Sequence, residues 1–259
     1  MDEKRSLPSL SPQERQRYAR HLVLPHIGEE GQERLKAARV LLVGVGGLGS
    51  AITLYLAGVG VGHIGLVDDD VVSLSNLQRQ VLHGAAWLDH PKVDSAKNRI
   101  SDLNADIEIT AYNTRFTSTN GLEIASGYDL IIDGTDNFPS RYDINKICLK
   151  LGIPYIYGAI FQLEGQVSVL CASEGPCYEC IFPEPPHDPV PTGEEAGILG
   201  AIPGTIGTIQ ATEAIKMLVG FGTPLIGRLL VYDGAGMRFD EIQLAKNPDC
   251  PACGNISPA

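Results

Sequence analysis

Gly44-Val45-Gly46-Gly47-Leu48-Gly49 follows an apolar run at residues 39–45 and opens a stretch with helical spacing that reaches about Leu56. No other segment limits the fold as tightly. The run must end in a turn with no room for side chains, and that turn must become the first turn of a helix. Backbone amides at such a helix N-terminus are open to an incoming phosphate, whose charge the helix dipole favours. A second apolar run, residues 64–67, ends in Asp68, where a carboxylate can accept hydrogen bonds from ribose hydroxyls. Strand, glycine turn, helix and strand in this order make a mononucleotide-binding unit. Alone, the unit fits NAD about as well as ATP.

The residues after Asp68 shift the balance to a triphosphate. Ser75-Asn76-Leu77-Gln78-Arg79-Gln80 supplies amides and a guanidinium, whose planar fork suits phosphate oxygens. Lys92 adds a second cation before the next helix, although a lysine taken singly is most often a solvated surface group. Asp133 and Asp136 bracket Gly134-Thr135 at the end of a buried run, where ligands of open α/β sheets gather. A carboxylate there can hold magnesium bridging phosphates. Asp136 can equally cap the helix that begins near Asn137-Phe138-Pro139.

The rest of the chain alternates in the same manner. Residues 92–103 have helical spacing, 107–112 alternate like a strand, 130–133 form a buried strand, 141–151 a helix and 154–160 a strand. This predicts an α/β, Rossmann-like, mainly parallel sheet covered on both faces. Runs at 166–171, 229–232 and 239–244 lie closer together, with one long helix at 205–218 among them, and are expected to extend the sheet with antiparallel strands. Ser11-Pro12-Gln13-Glu14 has the form of a capping box with proline at the first helical position, so a helix carrying Tyr18 and Arg20 is expected. Residues 1–38 then form a helical arm, 39–254 a single domain and 255–259 a disordered tail. Residues 183–204, rich in proline, glycine and acid, read as an exposed loop and a candidate lid.

Six cysteines include Cys177-x-x-Cys180 and Cys250-x-x-Cys253, two thiolate hooks that together suit a closed structural zinc site. Cys148 and Cys171 read as small buried hydrophobes. A formal net charge of -11 argues against a nucleic-acid partner held by phosphate contacts. The apolar runs are too short to span a membrane and no signal core opens the chain, so a soluble, cytoplasmic protein is expected.

Together these residues resemble the adenylating enzymes that activate ubiquitin-like sulfur carriers, the MoeB/ThiF family. The likeness runs from about Arg17 to Gly254. It includes Arg17-Tyr18-Ala19-Arg20, the glycine turn, residues 75–80, Pro91-Lys92-Val93, Thr135-Asp136-Asn137, Glu164-Gly165-Gln166, Glu213-Ala214-Ile215-Lys216 and the four hook cysteines. The resemblance implies adenylation, with MgATP, of the C-terminal glycine carboxylate of a small β-grasp sulfur-carrier protein ending in Gly-Gly, for molybdopterin, thiamine or thiolation chemistry. It further implies that Asp68 holds the ribose and that Gly44, Gly46, Gly47 and Gly49 form the phosphate turn. Ser75, Asn76, Arg79 and Lys92 grip the phosphates, while Asp136, with Asn137, positions magnesium. Arg20 would reach into the partner subunit of a homodimer. Gly193 stands where many relatives carry a cysteine, so the chain is expected to stop at the acyl-adenylate and leave sulfur donation to another protein. Two other readings are a tRNA or peptide tail as the adenylated acceptor, and an NAD-dependent oxidoreductase, which gives Arg79, Lys92 and the cysteine hooks no role.

Overall fold

The structure is a computed structural model that describes residues 7–186 and 193–256. Its first helix, α1 (Pro12–Arg17), has the expected capping box: Ser11 Oγ accepts from the Glu14 amide at 3.2 Å and Glu14 Oε2 accepts from the Ser11 amide at 2.7 Å. The helix does not continue through Arg20 as the sequence pattern predicts. It breaks at Tyr18 (φ -95°, ψ 16°) and restarts as α2 (Ala19–Leu22). The cause is tertiary. Tyr18 turns inward, its hydroxyl accepts from Asn104 Nδ2 at 2.9 Å, and its ring occupies the space a Cβ on Gly60 would need, 2.4 Å from the phenolic oxygen. Helix α3 (Gly28–Ala37) completes the arm.

Among the described residues, eight strands then form one sheet in the order β3-β2-β1-β4-β5-β6-β7-β8. The parallel part comprises β1 (Arg39–Val43), β2 (His63–Val67), β3 (Glu108–Tyr112), β4 (Leu130–Asp133) and β5 (Tyr155–Phe161). Its crossovers carry α4 (Gly47–Val59), α5 (Lys92–Leu103), α6 (Gly121–Ala125) and α7 (Phe138–Leu151). The expected antiparallel extension is made by β6 (Glu164–Leu170), β7 (Arg228–Asp233) and β8 (Arg238–Gln243). Short helices α8 (Tyr178–Ile181) and α9 (Gly193–Ala196) and the long α10 (Ala201–Val219) lie between β6 and β7. The segment read as loop through Gly204 therefore becomes helix at Ala201. Pro203 lies in the first turn, where proline's missing amide costs no helical bond. Residues 187–192 of that loop, and 257–259 of the expected tail, lie outside the described residues.

Alternation along the central strands divides the core in two. Val40, Leu42, Leu130 and Ile132 face α4, α5 and α10, while Leu41, Val43 and Ile131 face α7. Each fully buried aliphatic side chain contributes about 1.5–3 kcal/mol relative to exposure. The chain winds one way from β1 to β2 and β3 and the other way from β4 to β5, so its switch point falls between the C-terminal ends of β1 and β4. There Gly44 (φ +91°) and Gly134 meet backbone to backbone: a Cβ on Gly134 would sit 2.2 Å from the Gly44 oxygen. Helix α10 packs on α4, β5 and β6 and closes one face over this point. Among the described residues no helix is long and apolar enough to cross a membrane.

Candidate active site

The glycine turn leaves β1 at the switch point and becomes α4. Gly44 and Gly49 serve the tightness of the turn itself, since a Cβ on Gly49 would lie 2.3 Å from the Gly44 oxygen. Gly46 and Gly47 face the groups arriving from outside. Gln80 Nε2 lies 3.6 Å from the place of a Cβ on Gly46, and Arg79 Cγ and Pro203 Cβ lie 3.8 and 3.1 Å from that of Gly47. Among the described residues, the amides of Gly46 and Gly47 donate to no protein acceptor.

Asp68 is tied to the turn. Its Oδ2 accepts from the Val45 amide at 2.7 Å and its Oδ1 from the Asp70 amide at 2.9 Å. Burial raises its pKa, against the pull of Lys92 and these two amides. Lys92 is not the surface lysine that residue statistics favour: its side chain is 7% exposed, and Nζ meets Asp70 Oδ2 at 2.7 Å. Asp68, Asp69 and Asp70 bring carboxylate oxygens within 4.8 Å of one another beside this ammonium. Asn76 is buried in a short 3-10 turn, accepting from the Ser73 amide, while Ser75 is exposed. Arg79 donates to the Ser75 carbonyl at 3.1 Å, which folds its guanidinium back along its own turn.

Across the switch point the two acids part company. Asp133 is fully buried, accepting from the Thr135 amide (2.8 Å), Thr135 Oγ1 (2.6 Å) and Tyr155 Oη (2.7 Å), with Arg141 Nε at 3.6 Å. Arg141 in turn lies over the rings of Phe138 and Tyr157. Asp136 is exposed, and among the described residues its only side-chain bond is from Asn137 Nδ2 at 3.4 Å. The capping role open to Asp136 falls instead to Asn137, which accepts from the Ser140 amide at 3.0 Å. Asp136 thereby keeps Oδ2 without a protein donor among the described residues, and Oδ1 with only the long contact from Asn137.

Arg20 is the candidate that the fold does not bring to this place. Tyr18 packs at Gly60, which caps the C-terminus of α4, and Arg17 donates to the Leu103 carbonyl at the end of α5. The 13 residues of α4 separate that end from the glycine turn by about 20 Å. Arg20 is exposed at the far end of its own chain's sheet.

Three groups escaped the sequence reading. Gln80, 4% exposed, lies over Gly46 with no partner for Oε1 among the described residues. Gln210 on α10 donates to the carbonyls of Asp133 (2.7 Å) and Ile156 (3.3 Å), tying the end of β4 to the first part of β5. His83, also buried, bonds the Val45 carbonyl. Gln80 ends the Ser75 to Gln80 motif. The other two carry no local signal, because helix and loop stacking alone places them.

The four hook cysteines meet beside α7, just past the end of β6. Cys177 Sγ lies 3.9 Å from Cys180 Sγ and 3.8 Å from Cys250 Sγ, and Cys180 Sγ lies 3.4 Å from Cys253 Sγ. Four thiolates around zinc at about 2.3 Å stand roughly 3.8 Å apart, so donor set and spacing fit a tetrahedral site. Asn145 on α7 donates to Glu179 Oε1 at 3.0 Å and accepts from the Tyr178 amide at 3.0 Å, fixing this knuckle to the core. Ile256 packs against it, so this part of the expected tail has a place in the fold. A cavity of about 80 Å³ beside the knuckle, lined in part by Cys148 and Cys171, is too small for a nucleotide. Both cysteines are buried as expected, and burial pushes the Cys148 thiol well above its ordinary pKa.

The ThiF family model matches residues 18–252. The chain is 47% identical over 247 residues to the SAMP-activating enzyme E1 of Haloferax volcanii, covering 95% of this chain and 91% of that one. It is 46% identical over 249 residues to the sulfur carrier protein adenylyltransferase of Thermus thermophilus, covering 94% and 92%. Among solved structures, E. coli MccB with ATP shares the fold at TM-score 0.81 and 22% identity, covering 92% of this chain and 75% of that one. A family match over nearly the whole chain, joined to relatives of almost half identity along nearly their full length, makes this chain a member of the ThiF family.

Proposed function

We propose that this chain adenylates the C-terminal glycine carboxylate of a small ubiquitin-like sulfur-carrier protein with MgATP and releases pyrophosphate. As an enzyme it is a nucleotidyltransferase. The observation that carries the proposal is the convergence of Asp68, Arg79 and Lys92 on one glycine turn whose Gly46 and Gly47 amides have no protein acceptor among the described residues. The names of the two curated relatives agree with it.

The chemistry is a substitution at phosphorus. A carboxylate oxygen of the carrier attacks the α-phosphorus, the bond to the bridging oxygen breaks, and pyrophosphate leaves with the electron pair. Negative charges crowd together in this step, so preorganised cations and amides supply most of the rate enhancement. The carboxylate is already ionised at neutral pH and needs no general base. Asp68 binds the ribose, while Gly46, Gly47, Asn76, Arg79 and Lys92 hold the phosphate chain. Lys92 must exchange its partner Asp70 for phosphate, or share itself between the two. Asp136 would hold magnesium, which when bound neutralises phosphate charge; an exposed carboxylate whose one side-chain bond among the described residues is a long contact from Asn137 fits that task. The four-cysteine knuckle would hold a structural zinc.

Exchange of labelled pyrophosphate into ATP tests the reaction. Exchange is expected with a carrier ending in Gly-Gly and not with the same carrier lacking those two residues. Exchange that ignores the tail, or none with any carrier, overturns the proposal.

The position of Arg20 supports a homodimer in which it serves the partner's site. Arg20→Ala and Lys92→Ala, each inactive alone, are then expected to recover activity when mixed, up to about a quarter of wild type in the statistical limit where half of the chains are in mixed dimers with one intact site. Absence of recovery between variants shown to exchange subunits would overturn the action of Arg20 across the dimer.

A further inference from the structure

His83 is buried at 7% exposure, and neither of its ring nitrogens faces solvent-borne chemistry. Nε2 lies 2.9 Å from the Val45 carbonyl oxygen, which can only accept, so Nε2 carries the proton. Nδ1 is left to accept from Ser95 Oγ at 3.0 Å. Burial holds the imidazole pKa below its ordinary value, and the Lys92 charge lowers it further, against the Val45 carbonyl. The ring is therefore neutral, with one fixed tautomer.

The consequence lies in the peptide that His83 grips. In a trans peptide the C=O of one residue and the N–H of the next point in opposite directions. Holding the Val45 carbonyl against His83 therefore turns the Gly46 amide away from it, and that amide has no protein acceptor among the described residues. The Val45 amide is held separately by Asp68. Val45 is thus pinned on both sides, by the ribose-binding acid and by the imidazole, and the orientation of one peptide plane of the turn depends on His83. The same ring reaches Ser95 on α5, the helix that opens with Lys92, and the His83 amide donates to the Gln80 carbonyl at 3.1 Å in the segment that lays Arg79 beside Gly47.

We propose that His83 is a positioning residue for the nucleotide: it aims the Gly46 amide at the phosphates and sets the glycine turn in register with Arg79 and Lys92. The proposal rests on the nucleotide reading above. It is tested by calorimetric titration of ATP and of adenosine into wild type, His83→Ala and His83→Gln. Glutamine can place a donor near the position of Nε2, whereas alanine cannot. His83→Ala is expected to weaken ATP binding about tenfold, the value of one well-placed hydrogen bond, and to leave adenosine binding within about twofold. His83→Gln is expected to recover most of the loss. In nitrogen-15 spectra of the wild type at neutral pH, the ring should show the Nε2–H tautomer. An unchanged ATP affinity in a folded His83→Ala protein overturns this inference alone. Equal losses for ATP and adenosine, unrelieved by glutamine, would reduce His83 to a fold-holding residue and also overturn it. Wild-type protein that binds no ATP would remove the nucleotide reading together with this one.

Discussion

Asp136→Ala is expected to lower carrier-dependent ATP–pyrophosphate exchange by at least about 10²–10³-fold, the cost of losing one preorganised electrostatic contact in a reacting site. The melting temperature should hardly move. Asp136 is exposed, bonds through its side chain to its neighbour Asn137, and leaves the capping of α7 to that asparagine. Surface changes of this kind stay within about 0.5 kcal/mol. Asp133, three residues earlier, should fail in the opposite way. Alanine there strands the Arg141 guanidinium in the core and removes the acceptor of Tyr155 and Thr135, a loss of about 3–5 kcal/mol in stability. Circular dichroism melts beside exchange assays separate the two. Wild-type exchange in Asp136→Ala would remove that residue from the reaction.

The second large effect concerns the cysteine knuckle. Protein purified without chelator is expected to carry about one zinc per chain, and Cys250→Ser to carry almost none. Free energy on the order of 10 kcal/mol attends zinc binding to such thiolate sets, so the variant should melt on the order of 10 °C lower. The damage should begin locally. Without the metal, the described residues after Leu244, whose amide still bonds the Gly227 carbonyl, keep the Lys246 bond to the Ala172 carbonyl and a few apolar contacts to the rest of the chain, so limited proteolysis should cut between 245 and 256 before the parallel strands are touched. Metal-free wild-type protein by elemental analysis, together with an unaltered melt for Cys250→Ser, would sink the assignment.

Much of this was legible because it is local. The helix at Lys92–Leu103 and the strand at Leu130–Asp133 have the bounds that their periodicity predicts, and the antiparallel extension follows from close strand spacing without crossover helices. Tyr18 was not legible, since nothing nearby in sequence announces that its hydroxyl will meet Asn104 and interrupt a capped helix. Pro203 misled for a related reason: proline marks both loops and first turns, and the packing of α10 on α4 decides between them. In the site, the ionic residues stood out by type. Neutral His83 and Gln210 did not, because they act by holding main-chain carbonyls that only the folded chain brings to them. The separation of Arg20 from the other cations likewise depends on which end of α4 the arm covers.

The path of α10 also orders the birth of the molecule. A growing polypeptide that has emerged through β6 already possesses all five parallel strands and the glycine turn, yet lacks the helix that covers β5 and β6 on one face and sets Pro203 beside Gly47. The four sulfurs cannot meet until later still, because Cys177 and Cys180 must each wait for a partner 73 positions downstream. The half-made sheet must therefore pass through the interval before α10 arrives with the apolar surface of β5 and β6 on that face uncovered. That interval is when the nascent chain has most need of a chaperone.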